Sequence, residues 1–246
     1  MIILVTNDDG IHSEGLVSLE KSLAGLGDVW TVAPATEQNA MGRAITLHRP
    51  LKINKLSSNR FAVDGTPSDC VNIAANGILP ERPALVVSGI NKGPNLADDI
   101  SYSGTVAAAF EATIMGIPAV AVSLACRDNF HFDPAARFTA RLAQQILEFG
   151  LARDTLLNVN VPDTQGKEIS SYKITHQGKS IYAGSVTEAA NPRKQEYYWI
   201  GGEEVGFHEI DGSDSFAVAR GCISITPITT DLTRYKELDA LKKFKL

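Results

Sequence analysis

Two adjacent carboxylates follow the first apolar run of the chain. Asp8 and Asp9 come directly after Ile-Ile-Leu-Val-Thr-Asn at residues 2–7 and are followed by Gly10. Neighbouring carboxylates repel each other unless a cation or a shared proton relieves the charge, so the pair predicts a site for a hard divalent metal. The alternative on these residues alone is an ordinary turn in which one carboxylate caps the next helix.

Three further polar segments follow apolar runs, at residues 36–39, 88–95 and 101–105. The carboxyl ends of parallel strands meet at one edge of a sheet, so we expect these segments to gather around the carboxylates. Asn39 and Asn91 would add neutral amide oxygens to Asp8 and Asp9. Such an all-oxygen site suits Mg²⁺, Mn²⁺ or Ca²⁺ rather than zinc, and the histidines and cysteines show no zinc spacing.

A helix start next to this edge offers a place for an anion. Ser103, Gly104 and Thr105 precede an alanine-rich helix, whose first N–H groups and dipole attract negative charge. A metal beside such an anion cradle is what phosphoryl transfer to water requires, because the metal neutralises phosphate and lowers the pKa of bound water. The alternatives are that Ser103 is a plain helix cap and that Asn91 and Asn95 only stabilise turns.

The elements that must position these residues alternate between strand and helix. Buried strands are predicted at residues 2–7, 28–34, 84–88, 118–124 and 156–162, and amphipathic helices at 13–26 and 133–149, with further helices starting near 67 and 106. A β-rich hairpin is expected between residues 44 and 63, outside the parallel repeat. The fold class is therefore α/β, with a doubly wound, mostly parallel sheet.

The rhythm breaks after residue 162, so we predict three parts. Residues 1–162 form the catalytic core. Residues 163–215 are polar with scattered aromatic side chains and predict a β-rich arm or oligomerisation extension. Residues 216–246 supply a returning strand and an amphipathic C-terminal helix at 231–244, with exchange of this segment between subunits as an alternative.

Composition excludes several classes of protein. The chain has 246 residues, 44% of them hydrophobic, and a net charge of −5, which argues against binding to a nucleic-acid duplex. Three widely spaced cysteines favour reduced thiols in the cytoplasm. No signal-like segment and no 18-residue apolar stretch occurs, so we expect neither export nor a membrane span.

Six motifs are spread along the chain. They are Asn-Asp-Asp-Gly at 7–10, Gly-Thr-Pro-Ser-Asp-Cys at 65–70, Ser-Gly-Ile-Asn-Lys-Gly-Pro-Asn at 88–95, Tyr-Ser-Gly-Thr at 102–105, Asn-Val-Asn-Val-Pro at 158–162 and Gly-Cys-Ile-Ser-Ile-Thr-Pro at 221–227. In order and spacing these motifs resemble the SurE family, the stationary-phase survival phosphatases or 5′-nucleotidases. The resemblance covers essentially the whole chain and is weakest between about residues 163 and 210.

The resemblance implies a Rossmann-like domain and hydrolysis of nucleoside monophosphates, with 3′-nucleotidase and exopolyphosphatase activity and other phosphate esters as further expectations. It implies one divalent cation per subunit, Mg²⁺ or Mn²⁺, with Ca²⁺ as an alternative occupant in a crystal. Asp8, Asp9, Asn39 and Asn91 would hold the metal, with Asp8 and Asp9 also catalytic. Asn95, Ser103, Gly104 and Thr105 would bind phosphate, and the chain would form a homodimer or homotetramer.

Two residues depart from the family pattern, and two other functions compete with hydrolysis by water. The family usually has serine at position 39 and an aromatic residue at position 222, where this chain has Asn39 and Cys222. A phosphatase that acts through a phospho-aspartate would use Asp8 or Asp9 as nucleophile, but no clear lysine-bearing partner motif is present. A non-catalytic nucleotide-binding module is the other alternative, although the first strand is not followed by Gly-x-Gly-x-x-Gly.

Overall fold

A computed structural model describes residues 1–182, 186–190, 196–200 and 204–244. Its strands are β1 (Ile2–Thr6), β2 (Asp28–Pro34), β3 (Ile53–Lys55), β4 (Arg60–Val63), β5 (Leu85–Lys92), β6 (Ala119–Ala125), β7 (Thr155–Pro162), β8 (Tyr172–Ile174), β9 (Ser180–Tyr182), β10 (Val186–Ala190), β11 (Glu196–Ile200), β12 (Glu204–Phe207) and β13 (Ile223–Thr229). The α-helices are α1 (Glu14–Leu23), α2 (Pro67–Ile73), α3 (Gly104–Ile114), α4 (Phe132–Phe149), α5 (Asp214–Ala219) and α6 (Leu238–Leu241).

Nine strands form the central sheet in the order β3-β4-β2-β1-β5-β6-β7-β13-β8. The six strands from β4 to β7 are mutually parallel, whereas β3 pairs antiparallel with β4 and β13 pairs antiparallel with β7. The prediction of a doubly wound, mostly parallel α/β sheet is thus confirmed. Because β2 and β5 flank β1 on opposite sides, the chain reverses its direction across the sheet at β1, and a crevice opens there at the carboxyl ends.

Alternation along the strands distributes the core over both faces of the sheet. Ile3 and Val5 of β1 pack in the cluster that contains α1 and α4, whereas Leu4 packs in the cluster that contains α2 and α3. Successive strand side chains point to opposite faces, so an uninterrupted apolar run such as β1 needs a helical layer on each side. Packing on both faces fixes the position of β1 in the sheet, and with it the position of Asp8, which follows the strand after Asn7, and of Asp9.

The sequence-based reading of two peripheral segments differs from the structure. The predicted hairpin at 44–63 contains β3 and β4, but β4 joins the central sheet in parallel beside β2 rather than lying outside the parallel repeat. At the C-terminus, the expected helix at 231–244 is reduced to a 3₁₀ turn at 235–237 and the four-residue α6. Its apolar residues are exposed: Leu232, Tyr235, Leu238, Leu241 and Phe244. An amphipathic helix gains its stability from tertiary packing, which one chain does not supply here.

The region between β7 and β13 combines short strands with a helix. β8 extends the edge of the central sheet, β9 pairs with β12, and β10 pairs with β11 as a separate antiparallel ribbon. The helix α5, which was not predicted, begins after the cap residue Ser213. The division into three parts stays a prediction, and so does any exchange of the C-terminal segment. No helix in the described ranges is long and apolar enough to cross a membrane.

Candidate active site

Asp8 lies at the end of β1 and is 4% exposed. Its carboxylate accepts a hydrogen bond from the Thr105 hydroxyl at the start of α3. Burial raises the pKa of Asp8 to about 6; the hydrogen bond from Thr105 opposes this shift, and the charge of Asp9 adds to it. A buried carboxylate that must be ionised next to another carboxylate is a place where a bound cation is favourable.

The loop that carries the two carboxylates is closed by Asn7. Its side-chain nitrogen Nδ2 donates to the Gly10 carbonyl at 3.1 Å and to the Ser13 hydroxyl at 2.7 Å. Ser13 in turn caps α1 by accepting a hydrogen bond from the Leu16 N–H. Asn7 thus ties the carboxylate loop to the first turn of α1, so that Asp8 and Asp9 are held from both sides.

Asp9 connects the end of β1 to the end of β5. Its Oδ2 accepts from the Lys92 backbone N–H at 3.1 Å. Burial raises the pKa of Asp9, whereas the hydrogen bond from the Lys92 amide and the Lys92 charge lower it. Asn91 is the adjacent residue in β5, and its Nδ2 donates to the Gly93 carbonyl at 3.0 Å. That bond occupies the amide nitrogen, so the carbonyl oxygen of Asn91 is the atom that a cation would use.

The segment 36–39 also reaches the carboxylates, through its backbone. The Gln38 N–H donates to the Asp8 carbonyl at 2.8 Å. Asn39, the next residue, is exposed, and its Nδ2 donates to the Glu37 carboxylate at 2.7 Å. As in Asn91, the carbonyl oxygen is left for a cation. The structure therefore places the backbone of this segment beside Asp8, with the Asn39 side chain on the solvent side.

The expected anion cradle forms the N-terminus of α3 and touches Asp8. Ser103 is the N-cap, and its hydroxyl oxygen accepts from the Val106 N–H at 3.1 Å. A Cβ atom on Gly104 would lie 2.9 Å from both Cβ and Oδ2 of Asp8. Only glycine allows such close approach of backbone and carboxylate. Ser103 is therefore a helix cap, as the alternative prediction had it. Because its oxygen accepts in that bond, its hydroxyl proton can still be donated to an anion.

Asn95 is held by three buried residues that were not predicted to belong to the site: Ser123 on β6, and Asn158 and Asn160 on β7, which lie in the Asn-Val-Asn-Val-Pro motif. The Nδ2 atom of Asn95 donates to the Ser123 hydroxyl at 2.7 Å, and its N–H donates to the Asn160 side-chain oxygen at 2.8 Å. The Asn95 carbonyl accepts from the side chains of Asn158 and Asn160 at 2.9 and 3.0 Å. Two asparagines spaced by two in a buried strand share one face, and that unusual polar pair was the available signal.

The donor set fits a hard cation. Within the described ranges, no group of three or more histidine, cysteine, aspartate and glutamate side chains is placed to hold a metal ion. A cation at the carboxylate pair would therefore draw on Asp8 and Asp9 together with amide or water oxygens, which suits Mg²⁺ or Mn²⁺ better than zinc. Among the residues that the structure describes, none forms a hydrogen bond with the buried side-chain oxygen of Asn7, so the local polar network is incomplete there.

All four predicted segments thus meet at the crevice beside β1, because each of the other three contacts the segment that carries Asp8 and Asp9. The backbone of 36–39 and the start of α3 contact Asp8, and the end of β5 contacts Asp9. The 93–96 loop is held against β6 and β7 instead, by Ser123, Asn158 and Asn160. The site therefore joins a carboxylate pair to the N-terminus of an 11-residue helix.

Comparison with known proteins identifies the family. The family model described as survival protein SurE matches residues 3–184. A protein of Geobacter sulfurreducens named 5′-nucleotidase SurE is 52% identical over 247 aligned residues, covering 100% of this chain and 94% of that protein. A Geotalea daltonii protein of the same name is 50% identical, with both chains covered completely.

Similarity in three dimensions agrees with similarity in sequence. The crystal structure of the SurE protein from Aquifex aeolicus superposes with a TM-score of 0.89 at 41% identity, covering 98% of each chain. The likeness therefore includes the central sheet and extends beyond the residues that the family model matches. The family resemblance drawn from the sequence motifs is confirmed, and the chain belongs to the SurE family.

Proposed function

We propose that this protein is a 5′-nucleotidase, a phosphoric monoester hydrolase that converts nucleoside monophosphates to nucleoside and phosphate with a divalent cation. The observation that carries the proposal is the contact between Asp8 and the start of α3, which puts a carboxylate pair beside an anion cradle. Full-length relatives about half identical to the chain and named 5′-nucleotidase SurE support the same reaction. Activity on 3′-nucleotides, polyphosphate and other phosphate esters is part of the proposal.

Each group of the chain has a distinct role in this scheme. Asp8, Asp9, Asn91 and Asn39 would hold the cation, which when bound neutralises phosphate charge and lowers the pKa of a bound water. The Ser103 hydroxyl and the first N–H groups of α3 would bind the phosphate oxygens, and Asn95 would contribute to phosphate binding from the loop before the 3₁₀ helix at 97–101. Thr105 already donates its hydroxyl proton to Asp8, so we assign it the role of orienting that carboxylate.

Release of inorganic phosphate tests the proposal. The purified protein is incubated with nucleoside 5′-monophosphates and their 3′ isomers, with Mg²⁺ or Mn²⁺ and with EDTA. We expect release with the metals and its loss in EDTA. Nucleotide binding without release under all these conditions would favour the non-catalytic binding module instead.

The surroundings of Asp8 disfavour the alternative in which an aspartate is phosphorylated. Asp8 is buried, hydrogen-bonded to Thr105 and in contact with the Gly104 backbone, which leaves little room for in-line attack on phosphorus. Mass spectrometry of protein quenched during turnover should therefore find no phosphorylated Asp8 or Asp9. A phosphorylated aspartate peptide would establish the covalent route in place of attack by water.

Substitutions at Asn39 test whether this exposed residue contributes to the metal site. Asn39→Ser should retain most activity, because a hydroxyl or its water can replace the amide oxygen without adding charge. Asn39→Asp should tighten the cation and lower turnover, and Asn39→Leu should weaken the cation. The measurement is activity titrated against Mg²⁺ and Mn²⁺ for the three variants.

Its neighbour Glu37 supplies the control for Asn39, because the two side chains share a hydrogen bond. Glu37→Gln removes the neighbouring charge and keeps both the Asn39 side chain and an oxygen that can accept its hydrogen bond. If all three Asn39 curves superpose on that of the parent, residue 39 only shapes a surface turn. If Glu37→Gln reproduces the Asn39→Leu curve, the effect does not require a metal ligand at residue 39.

We also infer a homodimer or homotetramer whose assembly uses the C-terminal segment and the arm. The apolar side chains of the last segment and the aromatic residues of β11, Tyr197, Tyr198 and Trp199, are exposed. Aromatic side chains of this kind are enriched at subunit interfaces. The cytoplasm stays the predicted location.

Removal of residues 231–246 tests the assembly. The deletion spares β13, whose last pairing joins Thr229 to Thr155. We expect a smaller sedimentation coefficient or aggregation, because the apolar segment would lose its place in the oligomer. A deletion variant that sediments like the parent and retains its activity would contradict the assignment.

A further inference from the structure

A buried carboxylate that is not among the proposed metal ligands, Asp214, is bonded to the segment that precedes the anion cradle. Asp214 is 0% exposed and starts α5. Its Oδ2 accepts from the Ala97 N–H at 2.9 Å, across 117 residues of sequence. Its Oδ1 accepts from the N–H groups of Gly178 and Ser215 at 2.9 and 2.7 Å. One side chain thus joins three separate segments of the chain.

Ala97 requires such a partner because of its backbone conformation. Its φ of 51° lies in the left-handed region, which is unfavourable for a residue with a Cβ. Both polar groups of its backbone are held by distant side chains: the N–H by Asp214 and the carbonyl by the Gln177 amide at 2.9 Å. The contacts from outside the segment therefore maintain a conformation that the local sequence disfavours.

The segment that Ala97 begins leads without interruption to the cradle. Residues 97–101 form a 3₁₀ helix. The N–H groups of Tyr102 and Ser103 both donate to the Asp99 carbonyl, at 3.0 and 3.1 Å, and α3 follows at Gly104. A continuous hydrogen-bonded backbone therefore separates Ala97 from Ser103 and Gly104, which are only six and seven residues further on.

Residues 177–180, the foot of the arm, lead into β9 and form the other side of this connection. Asp98 pairs with the Lys179 ammonium at 3.0 Å and accepts from the Ser180 N–H at 3.0 Å. Gly178 approaches so closely that a Cβ there would lie 2.8 Å from Oδ1 of Asp214. Residues 177–180 and the 3₁₀ helix at 97–101 are thus packed as one unit, from which β9 enters the arm.

We propose that Asp214 is a positioning residue for phosphate binding: by holding left-handed Ala97 it sets the place of Ser103 and Gly104, and it joins the cradle to residues 177–180 at the foot of the arm. This inference rests on the proposed function. It assigns a role to a residue that contacts neither the carboxylate pair nor the cradle, through the backbone connection alone.

Asp214→Asn disturbs the bond to Ala97 and can keep the bonds to Gly178 and Ser215. The amide has one acceptor oxygen, which satisfies two donors if it faces Gly178 and Ser215. Its NH₂ group then faces the Ala97 N–H, so the variant sets two donors against each other at the link to the cradle. Along this link, the carboxylate pair of Asp8 and Asp9 contacts only the start of α3, not Ala97 or Asp214, so metal affinity should fall less than phosphate affinity.

The experiment measures phosphate and metal separately. Binding of inorganic phosphate is followed by calorimetry in the presence of Mn²⁺ and as inhibition of AMP hydrolysis, and Mn²⁺ binding by electron paramagnetic resonance. For Asp214→Asn we expect phosphate affinity to fall at least about fivefold, since a buried donor is left unsatisfied, while Mn²⁺ affinity falls by a smaller factor.

Glu20→Gln is the matched control. Glu20 is also a largely buried carboxylate, bonded to the Thr31 hydroxyl at 2.6 Å and paired with Arg60 at 3.1 Å, but it lies on α1 away from the cradle. It should leave phosphate affinity unchanged. Equal phosphate affinities for Asp214→Asn and the parent, or an equal loss in Glu20→Gln, would overturn the proposal.

Gln177→Ala keeps the test decisive if Asp214→Asn does not fold. It removes only the exposed side chain that donates to the Ala97 carbonyl, and should weaken phosphate binding in the same direction. An unchanged phosphate affinity in that variant would refute the connection. Because calorimetry detects phosphate without turnover, a protein that binds phosphate but releases none from AMP would refute the proposed function and leave this inference standing.

Discussion

Asp8→Asn and Asp9→Asn should each lower kcat/KM for a nucleoside monophosphate by about 100- to 1,000-fold, the scale of losing a preorganised electrostatic group. Both substitutions remove negative charge from the proposed cation site while preserving the shape of the side chain. Asp8 should show the larger effect, because it contacts both Thr105 and Gly104 and is nearly buried. The measurement is steady-state kinetics at limiting and at saturating Mg²⁺ or Mn²⁺.

The stability of the same variants separates a role in the site from a role in folding. The amide oxygen that Asp8→Asn introduces can still accept the Thr105 hydrogen bond, and the substitution removes a charge whose burial is unfavourable. In EDTA, Asp8→Asn should therefore melt no lower than the parent. Near-normal turnover in both variants at limiting metal would refute the assignment, and a large fall in melting temperature would indicate a structural role instead.

Gly104→Ala should have the second large effect, a loss of about 100-fold in kcat/KM, as expected for a displacement of about 1 Å near the reacting groups. The new Cβ would lie 2.9 Å from Cβ and Oδ2 of Asp8, so the carboxylate, the start of α3 or both must move. Inhibition by inorganic phosphate should weaken in parallel. Ser103→Ala should show a smaller loss, with about 1 kcal/mol less stability from the missing cap.

Gly25→Ala provides the comparison for Gly104→Ala. A Cβ on Gly25 meets no atom within 4 Å, so the same chemical change there should leave kinetics and phosphate inhibition as in the parent. If Gly104→Ala and Ser103→Ala both retain the phosphate inhibition constant of the parent, the start of α3 is a plain helix cap. The phosphate site would then have to be sought elsewhere along the crevice.

Local patterns in the sequence were sufficient for the sheet and for the carboxylate pair. β1 is marked by the uninterrupted apolar run that Asp8 and Asp9 follow, and β5 by the apolar residues at 85–87, whereas Asn91 lies near the end of β5 itself. Because parallel strands expose their carboxyl ends at one edge, the chain position of Asp8, Asp9 and Asn91 already places them together. That conclusion depends on the order of residues along the chain and on strand direction, not on distant contacts.

Local patterns overstated the C-terminal helix. Its apolar residues are regularly spaced, which predicts a helix with one face to be buried. The spacing does not show whether the same chain provides a surface to bury that face. Of the predicted helix at 231–244, only Leu238–Leu241 is α-helical in the structure. For the short strand β4, the local pattern predicted a strand but not its neighbour. Its place beside β2 depends on which edge of the sheet is open.

The sequence by itself determined the fold class, the family and the carboxylate pair at the end of β1, because each depends on short patterns of residue type. Only the tertiary structure decided which distant groups bond to one another around the site: Thr105 with Asp8, Asn158 and Asn160 with Asn95, and Asp214 with Ala97. Those contacts join residues 63 to 117 positions apart. Nothing in the local sequence specifies such pairs, since they arise from strand order and from the need of buried polar groups to find partners.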